Sequence, residues 1–450
     1  MTPQSPHAGF ARTSVIVALI AATLSIASCG RSLTTAPRSA DRAVTGTSSP
    51  YTNTTQEYLN DVAVLPAPGA DIHEIAADYG ATISPGSNYT CVRVLPGSGE
   101  TCEELAAQLS ADPRVIVAER NGVIETAETR QESYASDDGL GSYETATEQP
   151  AAQAIGLDGA HRVSGGDGVL VAVIDTGIDP SHPLFTGRLV AGWDYVDYDN
   201  DPTDVPNGID DDGDGQVDEA WGHGTHVAGI VALTAPGSRI MPVRVLNADG
   251  RGDIAAVAAG INWAISHGAR VINLSLGMLQ TSVCIEHMLQ VADQAGVVVV
   301  CSAGNSGMEL PHEYPASSAH ALAVAASDAG ASPAPFTSFA TFVAISAPGV
   351  SVRSAYPGNA WRLWSGTSMS APFVSGASAL LLAKHPSWHR CDMLARLSST
   401  ARTLVGVNAA QLGKLGAGML DGAAALAPDT PNRTPGYGDG GGDLPVMRRP

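Results

Sequence analysis

Between residues 151 and 427 the chain alternates short apolar runs with longer segments of helical period. The runs Leu170–Ile174, Ile240–Leu246, Arg270–Leu274, Val297–Cys301 and Ala321–Ala326 are almost unbroken, with no inward–outward alternation. A strand wetted on one side would alternate, so these runs predict strands buried on both faces of a mainly parallel sheet. Helices predicted over His223–Leu233, Asp253–His267, Ser282–Ala295, Ser368–Lys384 and Asp392–Ser399 supply the cover, which makes the fold class α/β with helices on both sheet faces.

A smaller pattern precedes it. Strands at Val62–Leu65, Cys91–Leu95 and Arg114–Ala118 alternate with helices at Asp71–Tyr79 and Cys102–Ser110, which predicts a small α+β, ferredoxin-like module over 58–125. Residues 126–150 are acidic, rich in Ser and Thr and without apolar period, and are expected to be a linker. The segment 428–450 is rich in Gly, Pro and Asp and is expected to be disordered.

At the N-terminus, Arg12 precedes an apolar run from Val15 to Ala27 that is too short to span a bilayer as a mature helix. It closes on Leu24-Ser25-Ile26-Ala27-Ser28-Cys29, which resembles a bacterial lipobox with Cys29 as the lipidated residue. Residues 1–29 then read as a lipoprotein-type signal and 30–57 as a Ser/Thr/Pro-rich tether. The expected location is the cell envelope, with membrane attachment by the lipid and release of a mature form to the exterior.

The formal net charge of −21 argues against nucleic acid as a partner, since phosphate binding needs a basic face. Ten carboxylates and no Lys or Arg fall between Asp197 and Glu219, a block that must be solvated or hold a cation. Six cysteines fit an exported chain. Cys91 and Cys102 are close enough in one module to suggest a disulfide, while Cys284, Cys301 and Cys391 leave an odd number with at least one free thiol.

Three motifs carry nucleophilic chemistry. Val173-Ile174-Asp175-Thr176-Gly177 delivers a carboxylate from the end of a buried strand, at the sheet edge where α/β sites lie. His223-Gly224-Thr225-His226 opens a helix, and Gly366-Thr367-Ser368-Met369-Ser370-Ala371-Pro372 puts a hydroxyl at a helix start, with Pro372 expected in the first turn. The order Asp, His, Ser is one of three chain orders in which a single triad geometry occurs. In motif and order the chain resembles the subtilisin-like serine proteases.

That resemblance implies an endopeptidase that acts on proteins or peptides through an acyl-enzyme and is made as a zymogen. Asp175 would orient the imidazole, His223 rather than His226 would be the base, and Ser368 the nucleophile. Asn305, in Ser302-Ala303-Gly304-Asn305-Ser306-Gly307, would donate to the oxyanion. Ser275-Leu276-Gly277 and Gly252 would pair with extended substrate on either side, and Ser302, Ala303 and Gly304 would line the main pocket. Nothing charged stands in that wall, so a large apolar residue is expected before the cleaved bond. Leu109–Val115 with Glu119 is similar to the end of the family's propeptide, which implies that 58–125 inhibits its own protease and that processing falls between 126 and 150.

The acidic insertion departs from the family pattern. Asp210, Asp212 and Asp214, followed by Gly215, match the opening of an EF-hand loop, but its twelfth position is Trp221. Gln216, Asp218 and Glu219 are the remaining candidate ligands for a structural calcium, and the chemistry itself would need no cofactor. Two other readings fit the same chain: an inactive subtilisin fold used for surface binding, and a transpeptidase or macrocyclase that uses the same intermediate.

Overall fold

A computed structural model describes residues 56–428 except 85–90, 130–132 and 311. Cys29, the signal and tether, and the tail beyond 428 lie outside the described residues. The seven-stranded sheet runs in the order Val343–Pro348, Ala321–Ser327, Val298–Ser302, Val271–Leu274, Leu170–Asp175, Arg239–Arg244 and Trp193–Asp194. Every pairing in it is parallel, as unbroken apolar runs require. The order reverses beside Leu170–Asp175, so the carboxyl ends of this strand and of Val271–Leu274 open on a crevice.

One apolar cluster fills each side of the sheet. Helices His223–Thr234 and Thr367–Lys384 pack on one side, and Ile254–Ser266 and Val283–Gln294 on the other. Helix Thr367–Lys384 is buried from Thr367 through Leu382, which explains why its sequence is apolar all round rather than on one stripe. A Cβ on Gly376 would lie 2.5 Å from Thr234 Cβ, so the glycine is what lets the two central helices approach.

Several elements escaped the sequence pattern. Val343–Pro348 reads Val-Ala-Ile-Ser-Ala-Pro, too broken by small and polar residues to stand out, and the hairpin Val352–Tyr356 with Ala360–Trp364 carries Arg and Ser inward. Pro372 is a correction. The helix begins at Thr367, so Pro372 sits past the first turn. Its missing N–H leaves the Ser368 carbonyl without the helical donor, and Ser275 Oγ supplies one at 2.9 Å.

The N-terminal module is an antiparallel sheet in the order Thr82–Ile83, Val92–Leu95, Tyr58–Pro66, Val115–Glu125 and Arg251–Asp253, with helices Ile72–Asp78 and Cys102–Ser110. The strand expected to stop at Ala118 continues to Glu125 and pairs with Arg251–Asp253, which belongs to the second part of the chain. Described residues between 133 and 150 are also more ordered than expected of a linker. Ser142 and Thr145 form a capping box for helix Tyr143–Thr147, and Ser136 bridges Leu363.

The expected Cys91–Cys102 bridge is absent, and both are free thiols. Cys91 faces the cluster it shares with Cys284, whereas Cys102 borders the module's own core, so the two point to opposite sides of its sheet.

The module grips the helices beneath it by their N-termini. Glu119 accepts from Ser282 Oγ at 2.5 Å, Cys284 N at 2.8 Å and Val283 N at 3.2 Å, and Asn121 Oδ1 accepts from Ala255 N at 3.2 Å. A carboxylate on these unpaired N–H groups also meets the favourable end of the helix dipole. Glu119→Ala is therefore expected to lower stability by about 1–2 kcal/mol, read as a shifted urea midpoint with unchanged slope.

Candidate active site

Three sequence-predicted residues meet at the carboxyl edge of the sheet. Asp175 is the last residue of its strand and His223 the first of its helix, and His223 Nδ1 lies 2.7 Å from Asp175 Oδ1. Thr176 N donates to the same oxygen at 2.8 Å and fixes the carboxylate. Gly222 precedes His223 at φ +88°, and a Cβ there would lie 2.4 Å from the Tyr356 ring, so only glycine permits this entry to the helix. Trp364 stands edge-on to the imidazole, with centroids 5.3 Å apart.

Ser368 lies in the first turn of the buried helix. Asn305 is locked to that turn, its Oδ1 accepting from Thr367 N and Thr367 Oγ1, both at 2.8 Å. Asn305 Nδ2 and Ser368 N thereby converge on one point, a pocket with two donors for a negative oxygen.

That pocket is filled by a side chain of the same molecule. Glu128 Oε1 accepts from Asn305 Nδ2 at 2.9 Å and Ser368 N at 3.3 Å. Its Oε2 accepts from Ser368 Oγ at 2.5 Å and lies 3.3 Å from His223 Nε2, so it bridges the hydroxyl and the imidazole. A Cβ at position 366 would fall 1.7 Å from Glu128 Oε1, and glycine there makes the room.

Residues leading to Glu128 lie in the groove expected for an extended peptide. Glu125 exchanges both backbone hydrogen bonds with Gly277, at 3.1 and 2.8 Å, while Ile124 pairs with Gly252 and Thr126 N donates to Gly250 O at 3.1 Å. Gly277 and Gly252, two of the residues that the resemblance implied for substrate pairing, thus flank one strand of the same molecule.

The statistical profile of the subtilase family matches residues 166–438. The chain belongs to the subtilase family. Subtilisin BL of Lederbergia lenta is 38% identical over 285 residues, which span 61% of this chain and 94% of that protein. Thermitase of Thermoactinomyces vulgaris is 37% identical over 254 residues, 54% of this chain and 85% of that one. Among solved structures, fervidolysin of Fervidobacterium pennivorans, a keratinolytic enzyme related to subtilisin, superposes with a TM-score of 0.66 at 26% identity. That superposition covers 83% of this chain and 62% of fervidolysin. The protein is a subtilisin-like serine endopeptidase.

In this subtilase a charged residue stands beside the loop expected to line the main pocket. Ser302 and Ala303 are buried, and the buried carboxylate of Glu313 packs against Gly304, 3.0 Å from where a Cβ would stand. It comes from nine residues downstream. Sequence distance hid it.

Two further residues were missed. Glu128 sits in a segment expected to be a linker, and nothing in its neighbours marks it. Asp204 was counted only within the acidic block, yet it is buried behind the His223 helix and accepts from Thr225 Oγ1 at 2.9 Å. Burial pushes its pKa up to about 7. His226 is structural, as expected: its Nε2 lies 3.1 Å from both Val352 O and Arg362 O, and burial lowers its pKa to about 3.

In the acidic loop, Asp210, Asp212 and Asp214 each offer an oxygen within 4.8 Å of the others. Both Glu219 oxygens are buried without a hydrogen-bond partner. Asp218 turns away, its carboxylate accepting from Asn207 N and Gly208 N, both at 2.8 Å, and Gln216 N donates to Asp214 Oδ1 at 2.7 Å. Asp249, which its sequence neighbours do not mark, accepts from the Asp211 and Asp218 N–H groups and ties the loop to the sheet domain.

The imidazole of His223 is fully buried, which opposes its charge. The adjoining Asp175 carboxylate, and then Glu128, outweigh that and raise its pKa to about 10. Glu128 is held below the usual range although burial works against it, chiefly by its contact with His223. A histidine pKa raised on folding gives stability that is whole below pH 6.5 and fades as pH climbs toward 10. Urea unfolding of the Ser368→Ala chain should show this decline, and adding Glu128→Gln should flatten it.

Proposed function

We propose that this subtilase is a zymogen whose Asp175, His223 and Ser368 form the catalytic triad. The observation that carries the reading is the convergence of Ser368 Oγ, His223 Nε2, Asn305 Nδ2 and the Ser368 N–H on a single carboxylate. A carboxylate placed there stands where the tetrahedral oxyanion of acyl transfer would stand.

In the open enzyme His223 Nε2 takes the Ser368 proton as Oγ adds to the carbonyl of the bound peptide, and Asp175 holds the imidazolium that results. Asn305 Nδ2 and Ser368 N stabilise the negative oxygen. The proton passes to the leaving amine, the C–N bond breaks, and water repeats the sequence on the acyl-enzyme. Extended pairing with Gly277 and Gly252 reads substrate mainly through backbone, which suits cleavage of many protein sequences.

The module over 58–125 acts in this reading as the inhibitory propeptide, supported by its strand entering the groove. Export, and anchoring through lipid on Cys29, rest on the sequence alone.

The acidic loop would bind calcium. Asp210, Asp212 and Asp214 converge, and the buried Glu219 carboxylate, without a hydrogen-bond partner, would supply the acidic group that the twelfth position lacks, so the donor set would be all oxygen. The ion would brace the loop leading to His223 and take no part in the chemistry.

Ser368→Ala should abolish hydrolysis of a chromogenic peptide. Asn305→Ala should lower kcat by about a hundred- to thousandfold with KM little changed, the range established for this donor within the family. Equal effects on folding, or an unaltered kcat, would refute the assignment. For the metal, calcium should raise Tm and a chelator should reverse the gain, with Asp212→Asn insensitive to both; identical melting curves in calcium and chelator would exclude the site.

A further inference from the structure

The antiparallel register between Glu125 and Gly277 points the chain toward the nucleophile. Moving two residues along each strand in opposite directions sets Ala127 against Ser275. Ser275 O lies 3.3 Å from Ser368 Oγ, so a chain that stayed extended would bring the Ala127 carbonyl to the nucleophile. Ile124 and Ala127 are already seated in the cleft, at 0% and 2% exposure.

The chain does not stay extended. Residues 126–129 turn, with Thr129 N donating to Thr126 Oγ1 at 3.1 Å and the two threonine hydroxyls 2.7 Å apart. Thr129 Oγ1 also donates to Asp249 O at 3.2 Å. The turn aims the Glu128 side chain inward, and its carboxylate takes the place that the Ala127 carbonyl oxygen would need.

We infer that the chain's own processing site is the Ala127–Glu128 bond, and that Glu128 is a stopper whose carboxylate must swing out of the oxyanion pocket before that bond can be cut. The inference rests on the serine-protease reading above. While the stopper is in place, two obstacles act together. The oxyanion donors are occupied, and the two carboxylates flanking His223 keep both ring nitrogens protonated, so the imidazole accepts no proton from Ser368.

Once the turn opens, Ser368 Oγ bonds to the Ala127 carbonyl carbon and its proton moves to His223 Nε2. That proton is handed to the Glu128 amide nitrogen as the C–N bond breaks. Water then releases Ala127 as a free carboxylate and restores the Ser368 hydroxyl. The mature protein begins at Glu128, with its former stopper as the new N-terminal residue.

The test is intact-mass analysis with time of the full chain, as wild type, Glu128→Ala, Glu128→Gln and Ser368→Ala. The wild type should split slowly into pieces ending at Ala127 and beginning at position 128, and Ser368→Ala should stay whole. Both Glu128 variants should split at the same bond faster by about tenfold or more, the gain from removing one charge-assisted hydrogen bond from the closed state. A cut at another bond, or no acceleration in either variant, overturns the inference. Glu128→Gln keeps the shape of the side chain, and its melting curve in the Ser368→Ala background checks that it folds. A chromogenic peptide assay separates the failures: no hydrolysis by any of the four proteins sinks the protease reading itself, whereas wild-type hydrolysis with unaccelerated Glu128 variants sinks only the stopper.

Discussion

One buried imidazole lies between two buried carboxylates, and much of the molecule is arranged around that fact. His223, Asp175 and Glu128 are all fully enclosed, where an unmatched charge would cost several kcal/mol. Donors offset much of that cost: Thr176 N and the imidazole serve Asp175 Oδ1, and Asn305, Ser368 and the imidazole serve Glu128, while Asp175 Oδ2 is buried without a partner. A net negative pair around one imidazolium also accounts for the raised His223 pKa. Removing Glu128 from this arrangement would leave the imidazole a single carboxylate partner and bring its pKa down from that raised value.

The elements that bring these groups together come from distant parts of the chain. Parallel strands deliver Asp175, Ser275 and Asn305 at one edge, because strands that pair in parallel all end on the same side of the sheet. The helix that begins at Thr367 passes under that edge, and its proline frees the Ser368 carbonyl for Ser275. The N-terminal module closes the groove from above through a shared antiparallel ladder and through carboxylate and amide caps on two helix ends. Glu119 and Glu128 thus act alike, each offering a carboxylate to N–H donors of the sheet domain. The first steadies a helix and the second fills a reaction pocket.

Legibility followed the range of the physics involved. Apolar runs at 170–174 and 297–301 announced a doubly covered parallel sheet, since burial of both faces is written residue by residue. Helices expected to open at His223 and Ser368 begin at His223 and Thr367, and the order of the three motifs pointed to the family. Val343–Pro348 was illegible because its small residues are buried by neighbours rather than by their own apolarity. The expected Cys91–Cys102 bridge failed for a related reason: closeness along the chain says nothing of which sheet face each side chain takes.

By itself the sequence determined the fold class and the family and singled out Asp175, His223, Ser368 and Asn305 as candidates, because local pattern and motif chemistry are properties of contiguous residues. Tertiary structure alone decided that Glu128 fills the oxyanion pocket, that Glu313 reaches Gly304, that Asp204 is buried behind the His223 helix and that Ser275 completes the bonding of Ser368. Each of these depends on two segments remote in sequence meeting at a distance of a few ångströms. That meeting is set by strand register and helix crossing, which no local pattern encodes.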